Sequence, residues 1–262
     1  MYNVNERWKD RLHKKNVNRG EWQYQGGNSF RAGVHHKRLI QMLPDYQCKI
    51  LDVGSGITYG LEAMIYKKRI EYHDIIDCVD RSLGSGHKPT FIRNHFQCDI
   101  EKEMDLNEKY DVVICFEVME HVDHTDVLLQ NCLRHLKKKG LFFISIPNLS
   151  SIYARVELLL GLQPHVLEVS NEYANFGGGI FGKLNSPSGN PVHHIRGITY
   201  RACKEMLMFN GFRILEKWGT THGKHEYLVR HLPGIAPEVW FVCTRTDSRI
   251  EKVRISHIKN KT

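Results

Sequence analysis

No stretch of this chain approaches the roughly 20 consecutive apolar residues that would span a bilayer as a helix. The polar start Met1-Tyr2-Asn3-Val4-Asn5-Glu6-Arg7 lacks the apolar core of a secretory signal, so an intracellular, cytoplasmic protein is expected. None of the seven cysteines (Cys48, Cys78, Cys98, Cys115, Cys132, Cys203, Cys243) belongs to a Cys-x-x-Cys pair. That argues against a zinc knuckle and against a disulfide framework; most of them lie in apolar segments, as small core residues of a reducing compartment do. No internal repeat is visible, and nothing in the sequence discloses an oligomeric state.

What is present is ordinary for a globular protein. Hydrophobic residues make up 41% and charged residues 25% of 262, enough for one large α/β domain with a full core. The net charge of +8 favours polyanions such as RNA or anionic membrane surfaces. Much of the excess, however, sits in solvated runs such as Lys137-Lys138-Lys139 and in the tail after Thr244.

The pattern divides into an N-terminal arm over 1–34, carrying Trp8, Trp22 and Tyr24, a domain over 35–246, and a basic tail over 247–262. Apolar runs predict strands at 48–53, 75–80, 90–99, 110–116, 141–147, 212–218 and 239–245. Helices are expected at 31–43, 58–68, 123–138, 149–160 and 199–209, the fourth-strand helix being closed by lysines and Gly140, and the last by Gly211. Strands alternating with helices imply βαβ units in a parallel sheet, with ligands at the carboxyl ends of the strands. The segment 163–198, rich in Gly, Asn, Ser and His, is too long for a plain connection and is expected to form a lid over an acceptor.

The run Ile50-Leu51-Asp52-Val53-Gly54-Ser55-Gly56 reads as a buried strand that spills into a glycine turn where a ligand backbone can approach closely. Acidic residues close the first three strands: Asp52, Asp80, where a carboxylate typically takes ribose hydroxyls, and Asp99, which could accept from the exocyclic amine of a base. Three acids around one glycine turn suit a cationic nucleoside and lack the basic residue that a phosphate demands. A dinucleotide-binding dehydrogenase would want Gly-x-Gly-x-x-Gly, and position 59 is Tyr.

On these residues the chain resembles the class I S-adenosylmethionine-dependent methyltransferases, over about 35–245. Leu51-Asp52-Val53-Gly54-Ser55-Gly56 is similar to their first motif, Val79-Asp80 to the ribose-binding acid, Cys98-Asp99-Ile100 to the adenine-contacting segment, and Tyr110 through Val122 to the fourth-strand motif of the type 11 subgroup. One departure is Thr58 in place of a third glycine, with Gly60 two residues beyond. Ile146-Pro147-Asn148, Arg155, Gly161-Leu162-Gln163-Pro164, His194-Ile195-Arg196 and Phe209-Asn210-Gly211-Phe212 narrow the likeness to MetW-like and glycan-cluster enzymes. The resemblance implies an α/β Rossmann-like seven-stranded sheet, mostly parallel with an antiparallel last strand and helices on both faces. It implies S-adenosylmethionine as cofactor, held by Asp52, Gly54, Gly56, Asp80, Asp99, Ile100, Phe116 and Glu117.

Methyl transfer needs little apparatus, because the sulfonium already carries an activated methyl; alignment and exclusion of water do most of the work. A hydroxyl acceptor must also lose its proton to a His, a carboxylate or a metal-bound oxygen. Glu117, Glu120 and His121 fall on one face if the turn after the fourth strand is helical, and could hold a divalent cation such as Mg²⁺. The Glu-x-x-Glu-His spacing is similar to that of ubiquinone-synthesis O-methyltransferases and of small-RNA 3′-terminal 2′-O-methyltransferases, which use it for a metal; the latter add a downstream histidine that His193-His194 imitate. Against the metal stands the wide occurrence of Glu-His here without one. His194 is the preferred candidate base and His121 the second, either being open to a capping role instead; His222 and His225 read as loop residues. The favoured function is O-methylation of a small molecule, saccharide or lipid-linked acceptor. The alternatives are an RNA methyltransferase of the 2′-O type and a non-catalytic binding protein that keeps the fold.

Overall fold

The computed structural model of the protein describes residues 41–44, 46–55, 75–80, 92–221 and 229–246. The expected arm and tail, the helix at 58–68, Gly56, Thr58, Gly60, His222 and His225 lie outside these residues. Of the helix expected at 31–43, residues 41–43 are described; 41 and 42 are helical and Leu43 is a bend. Two compact units divide the chain, residues 1–98 and 99–262.

The first unit contributes β1 (Lys49–Val53), β2 (Ile75–Asp80) and β3 (Ile92–Gln97), paired in parallel with Leu51 opposite Asp77 and Val79 opposite Phe96. Ile50, Leu51, Val53, Cys78 and Val79 are fully buried, as the continuous apolar runs of a parallel sheet require. Asp77 interrupts this apolar run in β2 and is itself fully buried. It is satisfied by Arg93, whose Nε donates to Oδ1 at 2.9 Å and whose Nη2 reaches Oδ2, and by the Asn94 amide at 3.0 Å. A buried charge survives only with such complete pairing.

In the second unit β4 (Tyr110–Phe116) runs parallel to β5 (Leu136–Pro147), and β7 (Glu238–Arg245) lies antiparallel to both β5 and β6 (Phe212–Thr220). The helices are α1 (Thr125–His135), α2 (Ile152–Leu159), α3 (Gly179–Asn185) and α4 (Tyr200–Phe209). Tyr110, Phe142, Phe143, Phe212 and Phe241 fill the core, with Phe142 stacked on Phe212 at 4.6 Å. Seven strands thus form one mixed sheet of order β3-β2-β1-β4-β5-β7-β6, the expected fold class with its antiparallel last strand. No described helix is long and apolar enough to cross a membrane.

The α1 boundary departs from expectation. The helix stops at His135, Leu136 is extended (φ −81°, ψ 131°), and Lys137-Lys138-Lys139 open β5 instead of closing α1. Two contacts favour the strand: Leu136 pairs with Tyr110, and Lys137 Nζ reaches Asp111 Oδ1 at 2.8 Å. Gly140 serves packing within this strand, since a Cβ there would lie 2.7 Å from Leu136 Cδ1 and 2.9 Å from the Asp111 carbonyl. By contrast α4 ends as its sequence predicts, with Gly211 at φ +89°. Ser151 and Thr199 accept at 3.2 Å from the Ala154 and Ala202 amides to cap α2 and α4.

One side chain ties three loops behind β5. Asn148 is fully buried; its Nδ2 donates to the carbonyls of Ala236 at 2.8 Å and Pro233 at 3.2 Å. Its Oδ1 accepts from the Ser150 amide and hydroxyl and from the Tyr200 amide at 2.9 Å. Asn148→Ala strands these groups without solvent, at roughly 1–3 kcal/mol for each group left unsatisfied. A loss of about 3 kcal/mol or more is expected in urea denaturation, with the slope of the transition unchanged.

Candidate functional site

Where β4 ends, the backbone changes direction abruptly. Glu117 takes φ +53°, a left-handed conformation rare for a side chain of its size. It is held there by its amide, which donates to the Ser145 carbonyl at 3.2 Å, and by its carboxylate, which accepts from Ser145 Oγ at 2.8 Å. The turn that follows is a 3₁₀ helix of three residues, Met119–His121. Glu117 therefore precedes the helical turn, the i, i+3, i+4 face that would unite it with Glu120 and His121 is not formed, and its carboxylate is bound to β5.

The structure instead brings together Glu120, His121 and His194. One ligand atom from each falls within 4.8 Å of the others. His121 Nε2 lies 3.7 Å and His194 Nε2 3.8 Å from Glu120 Oε1, and the two rings meet edge to face at 4.8 Å. Each imidazole is oriented from its other nitrogen: His121 Nδ1 donates to the His193 carbonyl at 3.0 Å and His194 Nδ1 to the Val166 carbonyl at 3.2 Å. Donation from Nδ1 leaves Nε2 of each ring as an acceptor.

Glu120 is 1% exposed, and neither of its carboxylate oxygens meets a hydrogen-bond donor among the described residues. Burial pushes its carboxyl well above the ordinary range, an effect opposed by the dipole of its own backbone amide, which lies outside hydrogen-bond geometry, and reinforced by the charge of Glu238. Burial likewise pushes the His121 imidazole below its ordinary value. With Glu120 ionised and both imidazoles neutral, the three side chains turn acceptor atoms toward one another, at separations too long for hydrogen bonds. One carboxylate and two imidazoles, each imidazole anchored to a carbonyl, form a donor set suited to a divalent first-row cation. The residues present therefore fit a metal.

The cluster is assembled across a long sequence gap. The Glu120 carbonyl accepts from the amides of Ile195 at 3.0 Å and Arg196 at 3.1 Å, while Arg196 Nε donates to the Val122 carbonyl at 2.8 Å and its Nη2 reaches the Asp123 carbonyl. Glu168 completes the arrangement. Its carboxylate accepts from three successive amides, Val192 at 2.9 Å, His193 at 2.6 Å and His194 at 3.2 Å. This holds His193 at φ +64°, the conformation that aims its carbonyl at His121. Sequence reasoning missed Glu168, and nothing marked it: it is one acid in a polar segment.

Of the candidate cofactor residues, Asp52, Gly54 and Asp80 belong to the first unit and Asp99, Ile100, Phe116 and Glu117 to the second. Gly54 takes φ +71° and its amide donates to the Val79 carbonyl at 2.8 Å, a turn that glycine makes without steric cost. Asp52 is 8% exposed; burial, and then the charge of Asp80, push its carboxyl up to about 7. Asp99 lies two residues beyond β3, where its Oδ1 accepts from the Glu101 amide at 3.1 Å and its Oδ2 faces Lys102 Nζ at 3.3 Å. Buried Asn131 of α1 fixes that segment, donating to the carbonyls of Ile100 and Lys102 and accepting from the Met104 amide. Phe116 packs on Trp240, ring centroids 4.7 Å apart.

A methyltransferase-domain family matches residues 5–216 of the chain. Among relatives, the mitochondrial ubiquinone biosynthesis O-methyltransferase of Saccharomyces cerevisiae is 23% identical over 261 residues, covering 84% of this chain and 76% of that protein. The Rickettsia conorii ubiquinone biosynthesis O-methyltransferase is 44% identical over 104 residues, but this covers only 38% of the chain and 35% of that protein. Two solved structures share the fold. A SAM-dependent methyltransferase from Archaeoglobus fulgidus has TM-score 0.54 at 15% identity, covering 85% of this chain and 97% of that one. An S-adenosylmethionine-dependent methyltransferase from Clostridium acetobutylicum has TM-score 0.51 at 14% identity, covering 91% and 99%.

Two outcomes follow from this geometry. Glu168→Ala should release the turn at 192–194, seen as faster amide exchange there and in an altered tautomer ratio of His121 by imidazole ¹⁵N shifts; Glu168→Gln, which keeps one acceptor oxygen, should fall between. Asp52 binds its proton more tightly folded, at about 7, than at its ordinary 3.8, so ligand-free stability declines as pH rises through that window and levels off above it. Asp52→Asn should raise the melting temperature of the ligand-free chain at about pH 8 and lose that advantage below the ordinary carboxylate value.

Proposed function

Because the chain belongs to the methyltransferase-domain family, as a class I S-adenosylmethionine-dependent enzyme, we propose that it methylates an oxygen of a small-molecule acceptor beside a divalent cation held by Glu120, His121 and His194. The observation that carries the proposal is the buried Glu120 carboxylate, with no donor among the described residues, facing two imidazole nitrogens that are themselves acceptors. The O-methyltransferase names of the relatives support oxygen as the acceptor atom.

The chain's residues then divide the work. Asp52 sets a carboxylate against the positive charge of the cofactor, and that charge favours the ionised form that burial opposes. Asp80 takes the ribose hydroxyls, Asp99 and Ile100 the adenine, and Gly54 and Gly56 give close backbone approach. Phe116 and Glu117 line the exit of β4. S-adenosylmethionine supplies the activated methyl group, so the protein contributes alignment and a dry environment. A divalent cation at the cluster would act as a Lewis acid on the acceptor oxygen. Two imidazoles beside one carboxylate suit a first-row transition ion better than Mg²⁺.

A metal-free route rests on the same tautomer. His194 Nδ1 is committed to the Val166 carbonyl, which leaves Nε2 to take the acceptor's proton as a general base; His121 has the same disposition toward the His193 carbonyl. Chelation separates the two routes. On the cation route, turnover should fall at least about a hundredfold in chelator and return with Mn²⁺ or Mg²⁺, and His121→Ala should weaken Mn²⁺ binding by about tenfold or more in calorimetry. Full turnover in chelator, lost in His194→Ala, would leave the imidazole route. S-adenosylhomocysteine should bind the purified chain, more weakly after Asp80→Ala; failure of the unaltered chain to bind it would overturn the cofactor assignment.

A further inference from the structure

A second buried acid stands at the same end of the sheet as Glu120. Glu238 opens β7 and is 6% exposed. It lies between Pro147, the last residue of β5, and Thr220, the last of β6. Because β7 is antiparallel to β5, its start belongs to the edge at which β4 gives way to the Met119–His121 turn. A short series of backbone hydrogen bonds connects the two acids. The Asn148 amide donates to the Pro237 carbonyl at 2.8 Å, the Leu149 amide to the Ile198 carbonyl at 3.0 Å, and the Ile195 and Arg196 amides to the Glu120 carbonyl. The charge of Glu238 acts on the Glu120 carboxyl, adding to the upward push of burial.

The sheet around Glu238 does not account for an acid at this place. Its cross-strand neighbours Pro147 and Thr220, and the diagonal ones on the same face, Ser145 and Trp218, are uncharged. The Thr220 hydroxyl, on a residue 1% exposed, has no hydrogen-bond partner among the described residues, so it is not committed to the acid beside it. Charge arithmetic gives the two acids a joint role. Glu120 with two neutral imidazoles offers a divalent cation one negative charge, and burial makes the positive charge left over costly. A second carboxylate within electrostatic reach cancels that charge without touching the ion. Glu117, which the Glu-x-x-Glu-His spacing nominates for it, is bonded to Ser145 instead. Resting on the reading of Glu120, His121 and His194 as a cation site, we propose that Glu238 is a positioning residue of that site, its carboxylate supplying the second negative charge that balances a bound divalent cation.

Titration of the full chain with Mn²⁺, read by calorimetry or by loss of the free-ion paramagnetic resonance signal, tests this apart from any turnover. Two variants separate charge from shape. Glu238→Gln keeps the size of the side chain and removes its charge, and should weaken Mn²⁺ binding by about tenfold or more. Glu238→Asp keeps the charge on a shorter arm, and should stay within about threefold of the unaltered chain. Glu205→Gln removes one charge from the exposed pair with Arg201 on α4 and should leave Mn²⁺ affinity unchanged; an equal loss there would assign the effect to net charge and overturn the proposal. Melting curves of the metal-free variants check folding, and each Glu238 variant decides alone. Undiminished Mn²⁺ binding in Glu238→Gln would overturn the proposal, and so would a loss of about tenfold in Glu238→Asp, which would assign the side chain a packing role. An unaltered chain that binds no Mn²⁺ would overturn the cation reading itself, and this inference with it.

Discussion

The carboxylate of Glu120 has been taken out of water and given nothing that donates to it among the described residues. Such a group has few stable states: it keeps its proton, or it faces a cation. Around it the fold spends specific interactions to hold two imidazoles with their acceptor nitrogens inward. Their other nitrogens are committed to the carbonyls of His193 and Val166, and the turn that carries the His193 carbonyl is fixed by Glu168, Arg196 and the Glu120 carbonyl itself. The same residue thus sets its side chain between the two imidazoles and gives an anchor from its main chain. Loosening any of these contacts lets the rings turn, and the cluster stops being one.

This arrangement explains why the segment 163–198 is long yet ordered by polar contacts. It must carry His194 back to the end of β4 while its own backbone stays satisfied. It does so through buried or half-buried acids, Glu157 gathering His165 and Asn185, and Glu168 gathering three amides. The cost of turning acids inward appears on the outside, where α2 and α3 show leucine and isoleucine to solvent.

Much of the scaffold was legible because a doubly covered parallel sheet writes itself as apolar runs: Ile50 to Val53, Val112 to Cys115 and Phe142 to Ile146 are each read as strands and each buried. Gly211 announced the end of α4 through its turn chemistry. The lysines after His135 misled, since Lys137-Lys138-Lys139 suit a helix terminus locally and only the pairing of Leu136 with Tyr110 makes them strand. At the site, Glu-x-x-Glu-His named Glu120 and His121 and the downstream histidine was visible as a candidate, and the structure sets these three side chains near one another. Spacing alone could not show that Glu117 adopts a positive φ and bonds to Ser145, which removes it from the helical face. Nor could it show Glu168, whose role exists only because three amides from a remote turn converge on it.

The central claim is that Glu120, His121 and His194 together form a cation site. Crystals soaked in Mn²⁺ and measured for anomalous scattering test it most directly. The account predicts a single peak within bonding distance of the Glu120 carboxylate and of Nε2 on both imidazoles, absent in Glu120→Gln. A soaked crystal with the three side chains ordered and no anomalous peak among them would contradict it.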